Sequence, residues 1–219
     1  MPRPRITLKL ATSLDGKIAL SNGQSEWITG EPARAAGRKL RAEHDGIAVG
    51  GKTARIDNPQ LTTRISGQPD PARIVFDSGA LLSPKSNLAQ TANEVPVLLF
   101  CQNGAENYAQ EISGLGVSVL PIPSGSFGLD ISRAMEILHR QNIKTLLVEG
   151  GGKLAASFIG AGFVDDIYWF RAPVILGGDG RSAIAELGLE TLSDVQPYTR
   201  LSVEEIGDDI LEIYTRGES

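Results

Sequence analysis

Cysteine and histidine are scarce in this chain of 219 residues. The sequence has one cysteine, Cys101, and two histidines, His44 and His139. One cysteine cannot form an internal disulfide or a cysteine-rich zinc site, and two histidines cannot supply a three-histidine metal site. The sequence also offers no serine–histidine–aspartate or cysteine–histidine arrangement for nucleophilic catalysis. We therefore expect no metal site, and we expect any chemistry to come from a bound cofactor.

Long apolar runs and an excess of positive charge are missing as well. No segment approaches the roughly 20 apolar residues that a membrane span needs, and no secretory signal follows Met1–Arg5. The net charge of −5 argues against nucleic acids or anionic membranes as dedicated partners. A hydrophobic content of 41% is typical of globular chains. The expectation is a cytoplasmic protein with a small-molecule ligand.

Segments with strand and helix patterns alternate along the chain. The alternation of Ile6, Leu8 and Leu10 with polar residues predicts a first strand, and a helix is predicted from about Pro32. Such alternation favours an α/β fold with a mostly parallel sheet covered on both faces. The tail, 201–214, has the pattern of an antiparallel hairpin, which would make the sheet mixed. We expect one domain over 1–219 with its core at about 5–215.

Two glycine motifs point to different chemistry. Gly46 to Thr53 matches the phosphate-loop pattern G-x-x-x-x-G-K-[ST], but the residues between its glycines are themselves a predicted strand, so we interpret the match as accidental. Gly150 to Ala155 fits G-x-G-x-x-[G/A], directly after an apolar strand and before an apolar helix. That context suits a pyrophosphate at a helix N-terminus, although a tight turn without a ligand has the same pattern. A P-loop NTPase remains an alternative.

Several charged residues stand where a ligand could reach them. Arg34, Arg38 and Arg41 recur along one helix face, either as a solvated stripe or, for Arg41, reaching a pocket. Arg41 and Arg64 would suit a phosphate, because guanidinium matches phosphate in a bidentate way. Glu149 ends a strand just before the second glycine motif, where open α/β sheets bind ligands.

Six ordered motifs make the sequence recognisable. They are LKLATSLDGKIA at 8–19, SEWIT at 25–29, DNPQLTTR at 57–64, RIVFDS at 73–78, VEGG at 148–151 and APVILGG at 172–178. Together they resemble the reductase domain of the riboflavin-biosynthesis pyrimidine deaminase/reductase family, over about 5–214. The resemblance implies a dihydrofolate-reductase-like fold, usually a homodimer. It also implies NADPH-dependent reduction of 5-amino-6-(5-phosphoribosylamino)uracil to the 5-phosphoribitylamino compound.

The resemblance also implies a set of site residues. Lys9 matches a lysine placed at the substrate's ribose, and Lys9 and Glu149 are the implied catalytic pair. Implied substrate-binding residues are Ser25, Arg41, Leu61, Arg64 and Glu149. Implied cofactor-binding residues are Ala11, Trp27, Thr53, Asp57, Ser78, Gly151, Gly152, Lys153, Leu154, Ala155, Ala156 and Ser157. Ser78 near a strand end is compatible with a 2′-phosphate, which favours NADPH over NADH.

One departure from the family pattern affects the expected partners. The zinc deaminase signature that often precedes this domain, H-x-E with P-C-x-x-C, is absent. A separate deaminase is therefore expected elsewhere. The alternatives are a reductase of the non-deaminated diaminopyrimidinone phosphate, a reductase of a pterin such as dihydrofolate, and a non-catalytic nucleotide-binding protein.

Overall fold

Strands and helices alternate along the chain in the computed structural model, which describes residues 2–26 and 28–217. The strands are β1 (Arg5–Thr12), β2 (Lys17–Ala19), β3 (Gly46–Gly50), β4 (Ala72–Phe76), β5 (Val97–Gln102), β6 (Ser118–Ile122), β7 (Ser124–Gly125), β8 (Gly128–Leu129), β9 (Thr145–Gly150), β10 (Asp166–Arg171), β11 (Arg181–Ser182), β12 (Thr199–Ile206) and β13 (Asp209–Thr215). The α-helices are α1 (Glu31–Ala42), α2 (Gly51–Asp57), α3 (Asn87–Gln90), α4 (Gln110–Gly114), α5 (Ile131–Arg140) and α6 (Gly152–Gly160). Short 3-10 helices cover Ala105–Ala109 and Leu192–Asp194.

Nine of the described strands form one sheet in the order β12-β13-β10-β1-β9-β3-β4-β5-β6. Neighbouring strands from β10 to β6 run parallel, whereas β13 pairs antiparallel with β10 and β12 antiparallel with β13. The predicted mixed sheet with a C-terminal hairpin is confirmed. The parallel strands point the same way, so their C-terminal ends share one edge, here called the carboxyl edge. Ligands of open α/β sheets bind at that edge.

Helices α5 and α6 cover one face of the sheet. Ile6 and Leu8 of β1 are fully buried on that face, in one cluster with Leu138 of α5 and Phe158 of α6. The side chain of Asp130 caps α5 by accepting the Arg133 amide at 3.0 Å, which satisfies a helix N–H that would otherwise lack a partner. This continuous apolar layer holds β1 and β9 rigidly below the carboxyl edge.

The opposite face carries two separate apolar clusters. Helix α1 packs Leu40 on Leu147 of β9 and Phe170 of β10, whereas α2, α3 and α4 cover β3, β4 and β5. The strand order places the boundary between the two clusters where β9 meets β3. Polar side chains occupy this boundary near the carboxyl edge, which positions the candidate site.

Some elements differ from the sequence predictions. The turn signals Asp15-Gly16 and Asn22-Gly23 predict a loop at 13–26, but this segment contains β2, which pairs with β11 more than 160 positions later in the chain. The sequence also predicts a loop at 121–128, and this segment contains β7. Pairing partners so distant, and strands so short, leave no local periodicity to detect. The sequence pattern also predicts a helix at 104–113, where the structure has a 3-10 helix followed by the short helix α4. The longest helix in the described part of the chain, α1, has 12 residues, and no described helix can cross a membrane.

Candidate active site

An ion pair between α1 and β9 forms the centre of the site. Arg41 donates from Nε to Glu149 Oε1 and from Nη2 to Oε2, both at 2.7 Å. Its Nη1 donates to the Thr62 carbonyl at 2.9 Å. Arg41 lies in the last turn of α1 and Glu149 lies at the end of β9, so the pair bridges the boundary between the two apolar clusters. The pair therefore fixes α1, the carboxyl edge and the loop after α2 relative to one another.

Burial and charge set the protonation of this pair. Burial by itself would raise the pKa of Glu149, but the hydrogen bonds and charge of Arg41, with the charge of Lys9, lower it below its usual range. Burial by itself would lower the pKa of Arg41, and Glu149 more than compensates, so that pKa is raised. Both groups are thus charged at neutral pH. The side chain of Glu149 is only 9% exposed, so a ligand would meet a desolvated carboxylate.

Lys9 lies on β1 beside this pair. Its Nζ is 5.7 Å from the centre of the Phe170 ring, and a Cβ placed on Gly37 of α1 would lie 3.5 Å from its Cε. Burial lowers the pKa of Lys9, the charge of Arg41 adds to that effect, and Glu149 opposes it. Among the residues that the structure describes, no hydrogen-bond or salt-bridge partner reaches Nζ. Lys9 is therefore a desolvated amine at the carboxyl edge with donors to offer a ligand.

The predicted substrate residues do not all lie in one place. Leu61 is 3% exposed and packs in the cluster beneath α2, whereas Arg64 is exposed on a depression of about 300 Å³ that Thr62, Thr63 and Asp70 also line. Ser25 is exposed in the first loop. Arg41 contacts Glu149 and the Thr62 carbonyl, which places it between Glu149, a predicted catalytic residue, and the Arg64 loop. The phosphate role of Arg41 remains a prediction.

Two glycine turns, Gly50-Gly51 at the end of β3 and Gly150–Gly152 at the end of β9, lie side by side at the carboxyl edge. Gly151 has a φ of +90°, a conformation that favours glycine, and a Cβ there would lie 3.2 Å from Thr53 Oγ1 on α2. A Cβ on Gly150 would meet no atom within 4 Å. The structure thus brings the predicted cofactor residues Thr53 and Gly151 together, beside open space. Gly46, by contrast, begins the buried strand β3, so Gly46 to Thr53 does not form a phosphate loop.

Other predicted cofactor residues are distributed around these turns. Gly152 and the exposed Lys153 form the first turn of α6, but Leu154, Ala155, Ala156 and Ser157 are buried in the helix body. The Ser157 hydroxyl donates to the Lys153 and Phe127 carbonyls, so it faces the protein interior.

The remaining cofactor positions lie on neighbouring elements. Ala11 is partly buried on β1, Asp57 ends α2, and burial raises the pKa of Asp57. Ser78 is exposed just after β4. Trp27 lies outside the described residues. No described residues group into a metal-binding cluster.

Two residues near the candidate site were not predicted, and they lie on either side of β4 in the sequence. Asp77 follows β4, accepts Arg55 Nη1 at 2.7 Å and the Leu81 amide at 2.8 Å, and lies so close to Gly51 that a Cβ there would be 2.4 Å from its Cγ. Asp70 accepts both the amide and the hydroxyl of Thr63. An acidic residue directly after an apolar strand was a usable signal for Asp77. No local pattern marked Asp70.

The arrangement fits a dinucleotide. The glycines remove side chains where a pyrophosphate would approach the backbone, and the nine-residue helix α6 directs its first N–H groups and the positive end of its dipole at the same point. Glu149 and Lys9 lie on the adjoining strands β9 and β1. A cofactor at the turn would therefore lie next to the charged groups.

The sheet order, its C-terminal hairpin and this edge define a dihydrofolate-reductase-like fold. A family model described as the RibD C-terminal domain matches residues 4–211, and the chain belongs to that family of riboflavin-biosynthesis reductase domains. The riboflavin biosynthesis protein RibD of Bacillus amyloliquefaciens is 33% identical over 210 residues, which are 94% of this chain and 56% of that protein. The resemblance stated from the sequence motifs is confirmed.

Solved structures agree with this assignment. RibD of Acinetobacter baumannii superposes with a TM-score of 0.84 at 26% identity, over 99% of this chain and 59% of that one. A deaminase/reductase of Thermotoga maritima superposes with a TM-score of 0.81 at 28% identity, over 98% of this chain and 57% of that one. The chain spans little more than half the length of these relatives.

Proposed function

We propose that this chain reduces 5-amino-6-(5-phosphoribosylamino)uracil to its 5-phosphoribitylamino product with NADPH. The observation that supports this most directly is the desolvated Arg41–Glu149 pair with Lys9 beside it, next to the glycine turn of α6. The Thermotoga maritima relative is named a 5-amino-6-(5-phosphoribosylamino)uracil reductase, which supports the same substrate. The proposal includes a single reductase domain over about 5–215, a homodimer, a cytoplasmic location and a separate deaminase.

The cofactor is proposed to lie along the two glycine turns. When bound, a reduced nicotinamide supplies hydride chemistry. The α6 N-terminus and Gly151 would hold the pyrophosphate, with Thr53 beside it. Ser78, exposed after β4, would face the adenosine 2′-phosphate, and this is the basis for proposing NADPH rather than NADH.

Lys9 and Glu149 are proposed to manage the substrate's protons. The ribosylamine ring opens to a C1′=N imine, and reduction adds hydride to C1′ and a proton to the nitrogen. Lys9, with no described partner at Nζ, is positioned to bind the ribose and, in its protonated form, to donate that proton. Glu149 is ionised and can accept from pyrimidine N–H groups. Arg41 keeps Glu149 charged and in place.

Arg64 is proposed to bind the substrate phosphate. Its guanidinium is exposed on the rim of the depression near Thr62 and Thr63, and guanidinium–phosphate contacts are bidentate. Holding the phosphate fixes the distance from C1′ to the nicotinamide, which is where positioning contributes to the rate.

An NADPH-oxidation assay tests the proposal. The purified chain is offered the deaminated pyrimidine phosphate, the non-deaminated one and dihydrofolate, each with NADPH and with NADH. We expect oxidation with the deaminated pyrimidine and a higher kcat/KM with NADPH. Lys9→Gln should abolish turnover while Lys39→Gln, an exposed lysine of α1, leaves it unchanged. If NADPH is oxidised only with one of the other substrates, that compound replaces the proposed substrate. NADPH binding without turnover of any substrate would contradict the proposed enzymatic activity.

A further inference from the structure

The loop that presents Arg64 has an unusual backbone. Asn58, Leu61 and Arg64 all have positive φ, at 40°, 54° and 54°, although none of them is glycine. Side chains with a Cβ rarely adopt this conformation, and it persists only when surrounding contacts hold it. Three such residues within seven positions therefore require specific anchors.

Each strained position has an anchor beside it. Asn58 accepts two hydrogen bonds from Asn87, at Oδ1 from the backbone amide (2.8 Å) and at its carbonyl from Nδ2 (2.7 Å), and Leu61 is buried. Arg41 holds the Thr62 carbonyl. Thr63, the residue before Arg64, is 1% exposed and donates both its amide (2.7 Å) and its hydroxyl (3.0 Å) to Asp70 Oδ1. The Thr63 hydroxyl also accepts the Ile65 amide at 3.4 Å.

Arg64 itself is anchored only through its neighbours. Its guanidinium has no hydrogen-bond or salt-bridge partner within 2–26 and 28–217. Asp70 makes both of its hydrogen bonds to Thr63 and forms no salt bridge with a described arginine. The contacts of Asp70 thus hold the residue that leads into the left-handed backbone at Arg64.

The charge of Asp70 is unfavourable for an anion in the same depression. Asp70 and Arg64 both line the space of about 300 Å³, where a carboxylate repels a phosphate. The charge of Asp70 also raises the pKa of Arg41 and opposes the lowering of the pKa of Arg73, but the contact through which Asp70 acts on Arg64 is the acceptor oxygen that holds Thr63. An amide oxygen at the same position would keep both hydrogen bonds without the repulsion.

We propose that Asp70 is a positioning residue that, through Thr63, fixes the left-handed backbone at Arg64 and directs its guanidinium to the phosphate of the ligand. This inference rests on the proposed function in one respect, which is that the ligand has a phosphate. It assigns Asp70 no contact with the reacting atoms.

A double-mutant cycle tests the proposal through KM. Arg64→Ala should raise KM for the phosphorylated substrate by at least about tenfold, because a charged hydrogen-bonded contact is lost. Asp70→Ala should raise KM by about tenfold with kcat changed less than about twofold. The double variant Asp70→Ala/Arg64→Ala should have the same KM as Arg64→Ala alone, because it has no arginine at position 64 for Asp70 to position. Asp70→Asn should have a KM no higher than that of the unmodified chain.

Binding of ribose 5-phosphate, measured by calorimetry, separates this proposal from the proposed function. If the chain reduces no pyrimidine but the single and double variants lose affinity for ribose 5-phosphate in the same non-additive way, Asp70 remains a positioning residue. Only the proposed reaction is then rejected. Unchanged affinity and KM in Asp70→Ala, or a double variant that multiplies the two single effects, would overturn the proposal. So would an unmodified chain that neither binds ribose 5-phosphate nor reduces the substrate.

A second variant covers the case in which Asp70→Ala does not fold. Thr63→Val removes the hydroxyl, with its bonds to Asp70 and to the Ile65 amide, but keeps the backbone amide bond to Asp70 and the shape of the side chain. It should raise KM by less than Asp70→Ala and add nothing to Arg64→Ala. A KM equal to that of the unmodified chain, together with normal folding by circular dichroism, would count against the role of the Thr63 contacts.

Discussion

Arg41 and Glu149, 108 positions apart in the chain, share a bidentate ion pair whose two hydrogen bonds are both 2.7 Å long. The pair joins α1 to the end of β9 at the boundary between the two apolar clusters. Both side chains are largely buried, with 20% and 9% exposure. Each partner offsets the desolvation of the other. Removing one partner should therefore lower the free energy of unfolding by more than the net contribution of the ion pair.

Arg41→Leu should lower the free energy of unfolding by about 3 kcal/mol, because it leaves a buried carboxylate without a partner. The lowered pKa of Glu149 in the intact pair means that its stabilisation is present above the ordinary carboxylate pKa and is lost as pH falls through the folded-state pKa. Urea unfolding at pH 7 and at pH 4 measures both statements. The loss should be smaller at pH 4, where protonation relieves the unpaired charge.

The matched control for Arg41→Leu is Arg38→Leu on the same helix. Arg38 pairs with Glu31, whose side chain is 60% exposed, so the loss should stay below about 1 kcal/mol. Arg41→Leu/Glu149→Leu should be more stable than Arg41→Leu alone, since the buried carboxylate is removed together with its arginine partner. Equal losses in Arg38→Leu and Arg41→Leu would contradict the importance of the buried pair.

The pH dependence of kcat should report Lys9. Burial lowers the pKa of Lys9, so an ammonium that donates a proton is lost, and kcat falls, at a pH below the usual range of lysine. Lys9→Arg keeps a charge that does not titrate in this range and should move the alkaline fall to higher pH, whatever its effect on the maximum rate. The pH–kcat profiles of both proteins measure this. An alkaline fall at the same pH in Lys9→Arg would remove Lys9 as its origin.

Local patterns predict the strands and the glycine turn well. Gly46–Gly50 is a short apolar run between glycines and is β3 as predicted, and the helix after the turn begins at Gly152 as predicted. Glu149 was selected because a charge ends a buried strand there. These features depend on residues that are adjacent in sequence, so periodicity and turn chemistry are sufficient to find them.

Contacts between distant segments account for what the sequence did not predict. The pairing of Lys17 in β2 with Ser182 in β11 has no local signature. The left-handed backbone at Leu61 and Arg64 contradicts local preference, because the anchors of that loop come from α1 and from Asp70. Tertiary contacts override local preference at these positions, which adjoin the proposed phosphate site.

Gly150 and Gly152, which flank Gly151, should respond differently to substitution by alanine. A Cβ on Gly152 would lie 2.4 Å from the Ser182 carbonyl, so Gly152→Ala must displace 182–185 and should cost about 1–3 kcal/mol of stability. A Cβ on Gly150 meets open space, so Gly150→Ala should unfold at the same urea concentration as the unmodified chain. Gly150→Ala should nevertheless bind NADPH more weakly, because the methyl group occupies the space proposed for the cofactor. Fluorescence titration measures the binding, and undiminished affinity in Gly150→Ala would place the cofactor elsewhere.

Asp15 should hold the backbone of the loop after β10 in place. Its carboxylate accepts the Leu176 amide at 3.1 Å, the Gly177 amide at 2.8 Å and the Ser13 hydroxyl at 2.6 Å, which lowers its pKa to about 2. Asp15→Asn replaces one acceptor oxygen by an N–H donor, so one of the two amides loses its partner. Hydrogen exchange at pH 7 should therefore become faster at Leu176 or Gly177 than in the unmodified chain. Asp179→Asn, a change of the same kind within that loop, should leave both amides as they are, and equal exchange in both variants would show that Asp15 does not hold the loop.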